Sequence, residues 1–445
     1  MSAHGSGTHQ EVIIHHPPGF RQRRGLNWGF IGLTYASFYL CRYNLSFANK
    51  SICDEFGFTK DQFGLVLTAF FWAYAVGQMV NGLLTDRIGG KFALGIGAIA
   101  TVIMNLLFGA ASFWGILSVF IMIWLVNGYL QAFGAPGMIK INTAWFSKTE
   151  RGKFAGIFGF MIQLGRFAIT WLAPSLLAGL TVLWWTFPPA HWRWIFWVPA
   201  MIASAIAVLM MIFVKNTPEE AGFDDPHLHE EAGHANAGPV TLRECLAVIF
   251  SNKTVWIVAG AYFCTGVVRQ GIDQWFPRYL QDVHHVSLKS VDFAWVAWGI
   301  PIVAVLGSYC SGLVSDTLFK GRRAPVAAIL YFTETVILLL ATQASSLMAV
   351  SIFLILISFT VNSTHSILGT AAAMDIGGRR MAGTASGVID SFQYYGGGLA
   401  GFFLGWLLEK LGWGSWFFSL AGFGLLGGCL MLTIAGRKDL KAQKA

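Results

Sequence analysis

Gly82-Leu83-Leu84-Thr85-Asp86-Arg87-Ile88-Gly89-Gly90-Lys91 recurs, in altered form, as Gly312-Leu313-Val314-Ser315-Asp316-Thr317-Leu318-Phe319-Lys320-Gly321-Arg322-Arg323. Both copies keep Gly-x-x-x-Asp followed by cations, and each follows the second long apolar run of its half of the chain. A repeat so placed predicts two equivalent halves. The glycine permits close helix contact. The aspartate can meet a basic residue or the positive N-terminal end of a neighbouring helix, and the cations face water. Asp86, Arg87, Asp316 and Arg322 would then form a latch that shuts one side of the protein in one state. The plainer alternative is a pair of short loops obeying charge topology.

Working outward, apolar runs fill almost the whole chain. Of its 445 residues 55% are hydrophobic and only 12% charged, more apolar surface than a soluble protein of this size can hide. Runs near the 20 or so residues that span a hydrocarbon core start near Trp28, Gly64, Phe92, Phe113, Phe154 and Trp194. A second set starts near Val255, Asp292, Pro325, Leu347, Ala382 and Trp413. They are too long and continuous for barrel strands, and backbone in a bilayer must satisfy its own hydrogen bonds, so they are helices. The expected fold is an all-α membrane protein of twelve transmembrane helices in two pseudo-symmetric six-helix bundles. Residues 1–25 form a leader, 26–214 the first bundle, 215–253 a linker, 254–436 the second bundle and 437–445 a tail.

The net charge of +8 does not signal nucleic acid, because of where it sits. Cations cluster at Arg21, Arg23 and Arg24, at Arg87 and Lys91, and at Lys148, Arg151 and Lys153. They return at Lys320, Arg322 and Arg323, at Arg379 and Arg380, and at Arg437 and Lys438. In a twelve-helix topology these loops share one side, and the positive-inside rule makes it the cytoplasm, with both termini there and the chain in the inner (plasma) membrane. No small-residue cleavage site follows the leader, so the first run reads as a retained helix. The six cysteines are scattered without metal spacing, which predicts neither a disulfide framework nor a metal site. His227, His229 and His234 in the linker read as a solvated loop. Gly396-Gly397-Gly398 reads as a close-packing run, since no Gly-Lys-Ser/Thr follows it. Without a nucleotide site, a cofactor motif or a nucleophile–base arrangement, the expectation is a monomeric non-enzyme that draws on a gradient.

Two arginines interrupt the apolar runs at matching places. Arg42 ends Tyr35-Ala36-Ser37-Phe38-Tyr39-Leu40-Cys41-Arg42, and Arg269 ends Tyr262-Phe263-Cys264-Thr265-Gly266-Val267-Val268-Arg269. A tyrosine stands two helical turns before each, on the same face. A guanidinium at membrane depth costs about 2.5–3.5 kcal/mol even on insertion scales, so it faces a cavity or a partner. Its planar fork suits phosphate or carboxylate and never loses its charge. The pair predicts a central site gripping a small organic anion from both halves; structural pairing with a buried acid is the alternative.

The chain resembles the major facilitator superfamily, whose loop signature after the second helix matches 82–91. Within it, the chain is similar to the organophosphate:phosphate antiporters. The supporting stretches are the tyrosine-rich first helix ending in Arg42, Trp145-Phe146-Ser147-Lys148-Thr149-Glu150-Arg151-Gly152, Thr217-Pro218-Glu219-Glu220-Ala221-Gly222, the Arg269, Trp275, Tyr279 run and Ala382-Gly383-Thr384-Ala385. The resemblance implies that Arg42 and Arg269 coordinate a phosphoryl group, with Tyr35, Tyr39 and Tyr74 in the cavity. It also implies alternating access and exchange for phosphate. Departures mark a rewritten polar shell. Gln78 and Tyr43 stand where the family has lysines, Ile162-Gln163 replaces a His-Asn pair, Arg166 replaces a glycine, and Pro301 falls at a glutamate.

Several side chains remain open between cavity and packing roles. Tyr35, Tyr74, Tyr262, Gln78 and Gln163 could contact substrate or only neighbouring helices. Arg166 could be a third positive contact or could pair with Asp390. Asp390, Asp273 and His365 are candidate proton carriers or satisfied helix contacts. Lys140 could serve substrate entry or simply follow topology. Trp184, Trp185, Trp192, Trp194 and Trp197, around one loop, read as interfacial anchors. Two competing functions stay open: a proton-coupled symporter of a carboxylate such as a sugar acid, and a transporter-like membrane sensor of sugar phosphate.

Overall fold

The computed structural model describes residues 17–146, 151–182, 185–223 and 251–436, with backbone alone at 151–158, 180–182, 185, 187 and 370–387. Lys148, Trp184, the linker histidines, Cys245, Arg437 and Lys438 lie outside the described residues. The first half comprises α1 (Phe20–Phe56), α2 (Lys60–Ile88), α3 (Gly90–Ala111), α4 (Leu117–Trp145), α5 (Arg151–Ala178) and α6 (Trp194–Phe213). The second comprises α7 (Lys253–Val283), α8 (Val291–Thr317), α9 (Arg323–Ala341), α10 (Leu347–Ser366), α11 (Ala373–Lys410) and α12 (Ser415–Ala435). A short hairpin, β1 (Leu180–Val182) and β2 (Trp185–Phe187), follows α5, with Leu180 opposite Phe187. A turn after Gln131 breaks α4 before Gly134, and α10 runs into α11 through a π-helical turn, Ile367–Ala372.

The helices begin close to where the apolar runs do, because each run is bounded by a breaker or a cap. Thr59 and Gln62 form a capping box at the start of α2; Ser290 and Ser346 cap α8 and α10. Among the described residues ten helices are long and apolar enough to cross a membrane. The other two, α1 and α11, are the carriers of Arg42 and Asp390, and their polar residues dilute the apolar signal. Met122, Ile212, Ile302, Leu340 and Leu432 stay exposed around the outside, as a lipid-facing surface requires.

Small residues set the helix contacts. Along α2 and α11, a Cβ on Gly401 would lie 2.6 Å from the Gly64 carbonyl, and one on Gly64 would strike the Gly401 carbonyl. Gly396 faces the Phe263 carbonyl of α7, and Gly398 faces Trp72 of α2, so the glycine run is a packing device on two faces. In the repeated signature the close contact is made by Gly90, where a Cβ would sit 2.7 Å from the Gly137 carbonyl, while Gly89 turns the chain at φ +88°. The expected contact role of Gly82 and Gly312 is corrected: nothing lies within 4 Å of a Cβ built on either. Trp192 is also reassigned from interfacial anchor to core. It is buried, with its Nε1 donating to Glu55 at 2.5 Å.

The halves meet along α1–α7, α2–α11 and α5–α8. Toward the end bearing the α1–α2 loop they are tied by Lys50 to Asp282 at 3.3 Å, Arg278 Nη1 to Asn49 at 2.7 Å, and Lys60 to Glu409 at 3.6 Å. The Thr68 hydroxyl donates to the Gly398 carbonyl at 2.6 Å. At the basic-loop end the two signatures engage their own halves: Lys140 Nζ reaches Asp86 Oδ1 at 3.2 Å, and Arg322 donates to the Ala435 carbonyl at 2.6 Å. Arg87 and Asp316 are exposed there. Among the described side chains the ties between the halves gather toward the α1–α2 end, which they seal.

Candidate functional site

Arg42, Tyr74, Arg166, Arg269 and Asp390 all fall near the middle of their helices. Stacking the helices thus brings five polar side chains to one depth. Arg42 is 2% exposed and, among the described residues, has no carboxylate within 4 Å. Its guanidinium lies over the rings of Tyr39 at 4.6 Å, Tyr74 at 4.4 Å and Phe70 at 5.3 Å, a cation–π cradle that replaces lost hydration. Its Nε donates to Gln131 Oε1 at 2.7 Å. That bond fixes the amide, whose Nε2 donates to Thr101 Oγ1 at 3.1 Å; Thr101 in turn donates to the Gly97 carbonyl at 2.7 Å. The relay clamps one edge of the fork, while Nη2 finds no acceptor among the described residues.

In the second half, Arg269 is 3% exposed, with its Nη1 3.3 Å from His365 Nε2. A guanidinium only donates, so Nε2 accepts and the imidazole proton sits on Nδ1. Nδ1 then donates to the Tyr262 hydroxyl at 2.6 Å, and Tyr262 donates over a long 3.5 Å to Asp390 Oδ1. The chain of donors runs from cation to carboxylate, with His365 neutral. Tyr262 also stacks on His365 with ring centroids 5.5 Å apart. Its hydroxyl presses against Gly369 in the π-helical turn, where a side chain could not fit.

Arg166 pairs with an acid other than the expected Asp390. It forms a short ion pair with Asp273 Oδ1, linking α5 to α7, and lies 5.1 Å over Tyr43. Asp273 Oδ2 is 4.0 Å from Arg269 Nε. Arg166 therefore does not pair with Asp390, and Asp273 is shared between two guanidiniums. The Tyr43 hydroxyl donates to Gln270 Oε1 at 3.4 Å.

Tyr35 and Tyr39 are buried beside one another, their centroids 5.6 Å apart. Among the described residues Gln163 Oε1 has no hydrogen-bond partner, the Tyr74 ring lies against the Arg42 guanidinium, and Gln78 is half-buried one turn beyond Tyr74. The latch residues Asp86, Arg87, Asp316 and Arg322 lie at the basic-loop end, apart from this cluster. Sequence reading missed Gln131 and Tyr394. Gln131 was visible only as an amide inside an apolar run. Tyr394 packs on Tyr74 at 4.4 Å across the α2–α11 seam and lies within electrostatic reach of both Arg42 and Arg269.

Twelve membrane helices with cationic and part-exposed polar groups at mid-depth between two bundles define a carrier of small solutes. The comparisons make this specific: the model of the Major Facilitator Superfamily matches residues 31–401, and the chain belongs to that family. It is a multi-pass membrane transporter, not an enzyme. It is 30% identical over 403 residues to the glycerol-3-phosphate transporter of Bacillus subtilis (strain 168), covering 88% of this chain and 87% of the relative. It is 27% identical over 430 residues to a probable hexose phosphate transport protein of Chlamydia trachomatis, covering 93% and 91%. The membrane sensor protein UhpC of Escherichia coli (strain K12) is 28% identical over 403 residues, covering 87% and 86%.

Proposed function

We propose that the protein is a secondary active transporter that exchanges a phosphorylated metabolite for phosphate by alternating access. The observation that carries this is Arg42: a buried guanidinium, cradled by aromatics and oriented by Gln131, with no carboxylate beside it and no acceptor on Nη2 among the described residues. Such a group is held ready for an anion supplied from outside. Arg269, whose Nε also lacks a hydrogen bond, is its counterpart in the other half. A phosphoryl group offers enough oxygens for both forks. The names of the relatives support the same class of substrate.

The mechanism follows from electrostatics. With no anion bound, Arg42 and Arg269 repel across the seam. A bridging phosphoryl group removes that repulsion and draws the halves together, so the loaded carrier switches faster than the empty one. Residues 26–214 and 254–436 move as the two bodies. The basic loops, the linker and both termini face the cytoplasm, so the sealed end is external and the cavity opens inward. The chain works as a monomer in the inner membrane. For the opposite state, Lys50–Asp282, Lys60–Glu409 and Arg278–Asn49 part while the Asp86 and Asp316 loops close.

In proteoliposomes, uptake of a radiolabelled phosphate ester is expected to accelerate with phosphate inside. Uptake driven by an acid-outside step and indifferent to internal phosphate would instead mark proton symport. The likeness to UhpC supports a second reading, a sensor of sugar phosphate; it requires binding without exchange.

A further inference from the structure

The polar groups at mid-depth divide into those that satisfy each other and those that do not. Asp273 stands between two cations, ion-paired with Arg166 and 4.0 Å from Arg269 Nε. Arg42 and Arg269 each keep an unpaired nitrogen. The remaining group is negative: Asp390, half-buried on α11, accepts one hydrogen bond, the 3.5 Å contact from Tyr262. Among the described residues no lysine or arginine lies within ion-pair distance of it. The donor chain Arg269–His365–Tyr262 ends on this carboxylate, so it serves as an acceptor.

A free carboxylate is an odd fixture beside an anion site. It lies within electrostatic reach of both Arg42 and Arg269 and would repel an incoming phosphate dianion. It also lies within reach of Tyr35, Tyr74, Tyr262 and Tyr394, contributed by α1, α2, α7 and α11. A carboxylate that touches one tyrosine hydroxyl and whose charge reaches three more tyrosines is chemistry that recognises an organic ammonium: charge pairing with the acid, and cation–π contact with an aromatic neighbour. The site thus offers to a dianion Arg42, which has no ion pair among the described residues, and Arg269, which shares Asp273, and it offers to a cation one acid without an ion-pair partner.

We propose that the transported ester is zwitterionic, with a phosphoryl group held by Arg42 and Arg269 and a primary ammonium held by Asp390 among the tyrosines. The class is an aminoalkyl or amino-sugar phosphate. Asp390 is then a specificity-determining residue, which selects the amine over the hydroxyl analogue. This rests on the organophosphate reading above and narrows it.

The test uses matched probes as competitors of phosphate exchange by the reconstituted full-length protein: 2-aminoethyl phosphate against 2-hydroxyethyl phosphate, and glucosamine 6-phosphate against its N-acetyl and glucose counterparts. The amine of each pair is expected to compete about tenfold or more better, one ion pair's worth of discrimination. Asp390→Asn should bring the ratio close to one, while Asp390→Glu should keep amines favoured. Equal competition in the unmodified protein overturns the inference and leaves the organophosphate reading standing. So does a ratio unchanged in Asp390→Asn, including the case where that variant loses only pH dependence, which would make Asp390 a proton carrier. If none of the esters competes, both readings fall. Should Asp390→Asn not fold, the matched pairs on the unmodified protein together with Asp390→Glu decide.

Discussion

Replacing Gln131 by leucine removes the one hydrogen bond that fixes Arg42 about its long axis. Gln131 and Thr101 are both 0% exposed, so no water takes over the role. A hydrogen bond to a charged group is worth about 1.5–3 kcal/mol. It is present in free and loaded protein alike, so only part of it enters the affinity. The share that enters is the ordering of the fork that the substrate must then impose, which we set at about 1–2 kcal/mol. Phosphate affinity should therefore fall about 5- to 30-fold, while stacking on Tyr39 and Tyr74 keeps Arg42 in place. Gln131→Glu, nearly isosteric, should fold at least as well but weaken phosphate binding further, because a carboxylate on Nε competes with the ligand. The assay is equilibrium binding of phosphate to purified protein, with thermal unfolding run alongside. Wild-type affinity in both variants would refute the claim that Arg42 must be held in one orientation.

Other outcomes follow from the same geometry. Asp273→Asn leaves two buried guanidiniums without their shared carboxylate, a loss of about 3–5 kcal/mol, whereas Arg166→Gln leaves Asp273 its longer contact to Arg269 and should cost less; adding Arg166→Gln to Asp273→Asn should recover part of the stability in a denaturation assay, and failure to recover any would mean that the two act separately. Gly64→Ala drives a methyl group into the Gly401 carbonyl and should loosen the α2–α11 seam. A spin-label distance across the sealed end should lengthen, and an unchanged distance would show that the seam bears no strain. Cysteines at 50 and 282, whose native side chains meet tip to tip at 3.3 Å, should, when bridged by a short reducible bifunctional thiol reagent, stop exchange until reduced. Full exchange by the crosslinked protein would mean that this end never opens.

Much of this architecture could be read from the chain. The apolar runs begin within a few residues of most helices because lipid demands uninterrupted apolar sequence, and the start of α11, at Ala373 instead of near Ala382, is the largest shift. Arg42 and Arg269 stood out because a charge in such a run is expensive. Partner choice was hidden. Whether Arg166 meets Asp390 or Asp273 depends on how α5 and α7 rotate against each other, which no periodicity encodes. The same applies to Gly82 and Gly312, whose faces turn away from the packing they were expected to mediate. Gln131 escaped notice because its value lies in a bond to a residue 89 positions away.

The most direct measurement is the phosphate dissociation constant of the purified protein with Arg42→Lys and, separately, with Arg269→Lys. Each keeps its positive charge and loses the fork, so binding through both halves predicts a comparable weakening in the two variants, about tenfold or more. Undiminished affinity in either one would show that its arginine is structural, and that the anion is not held from both sides.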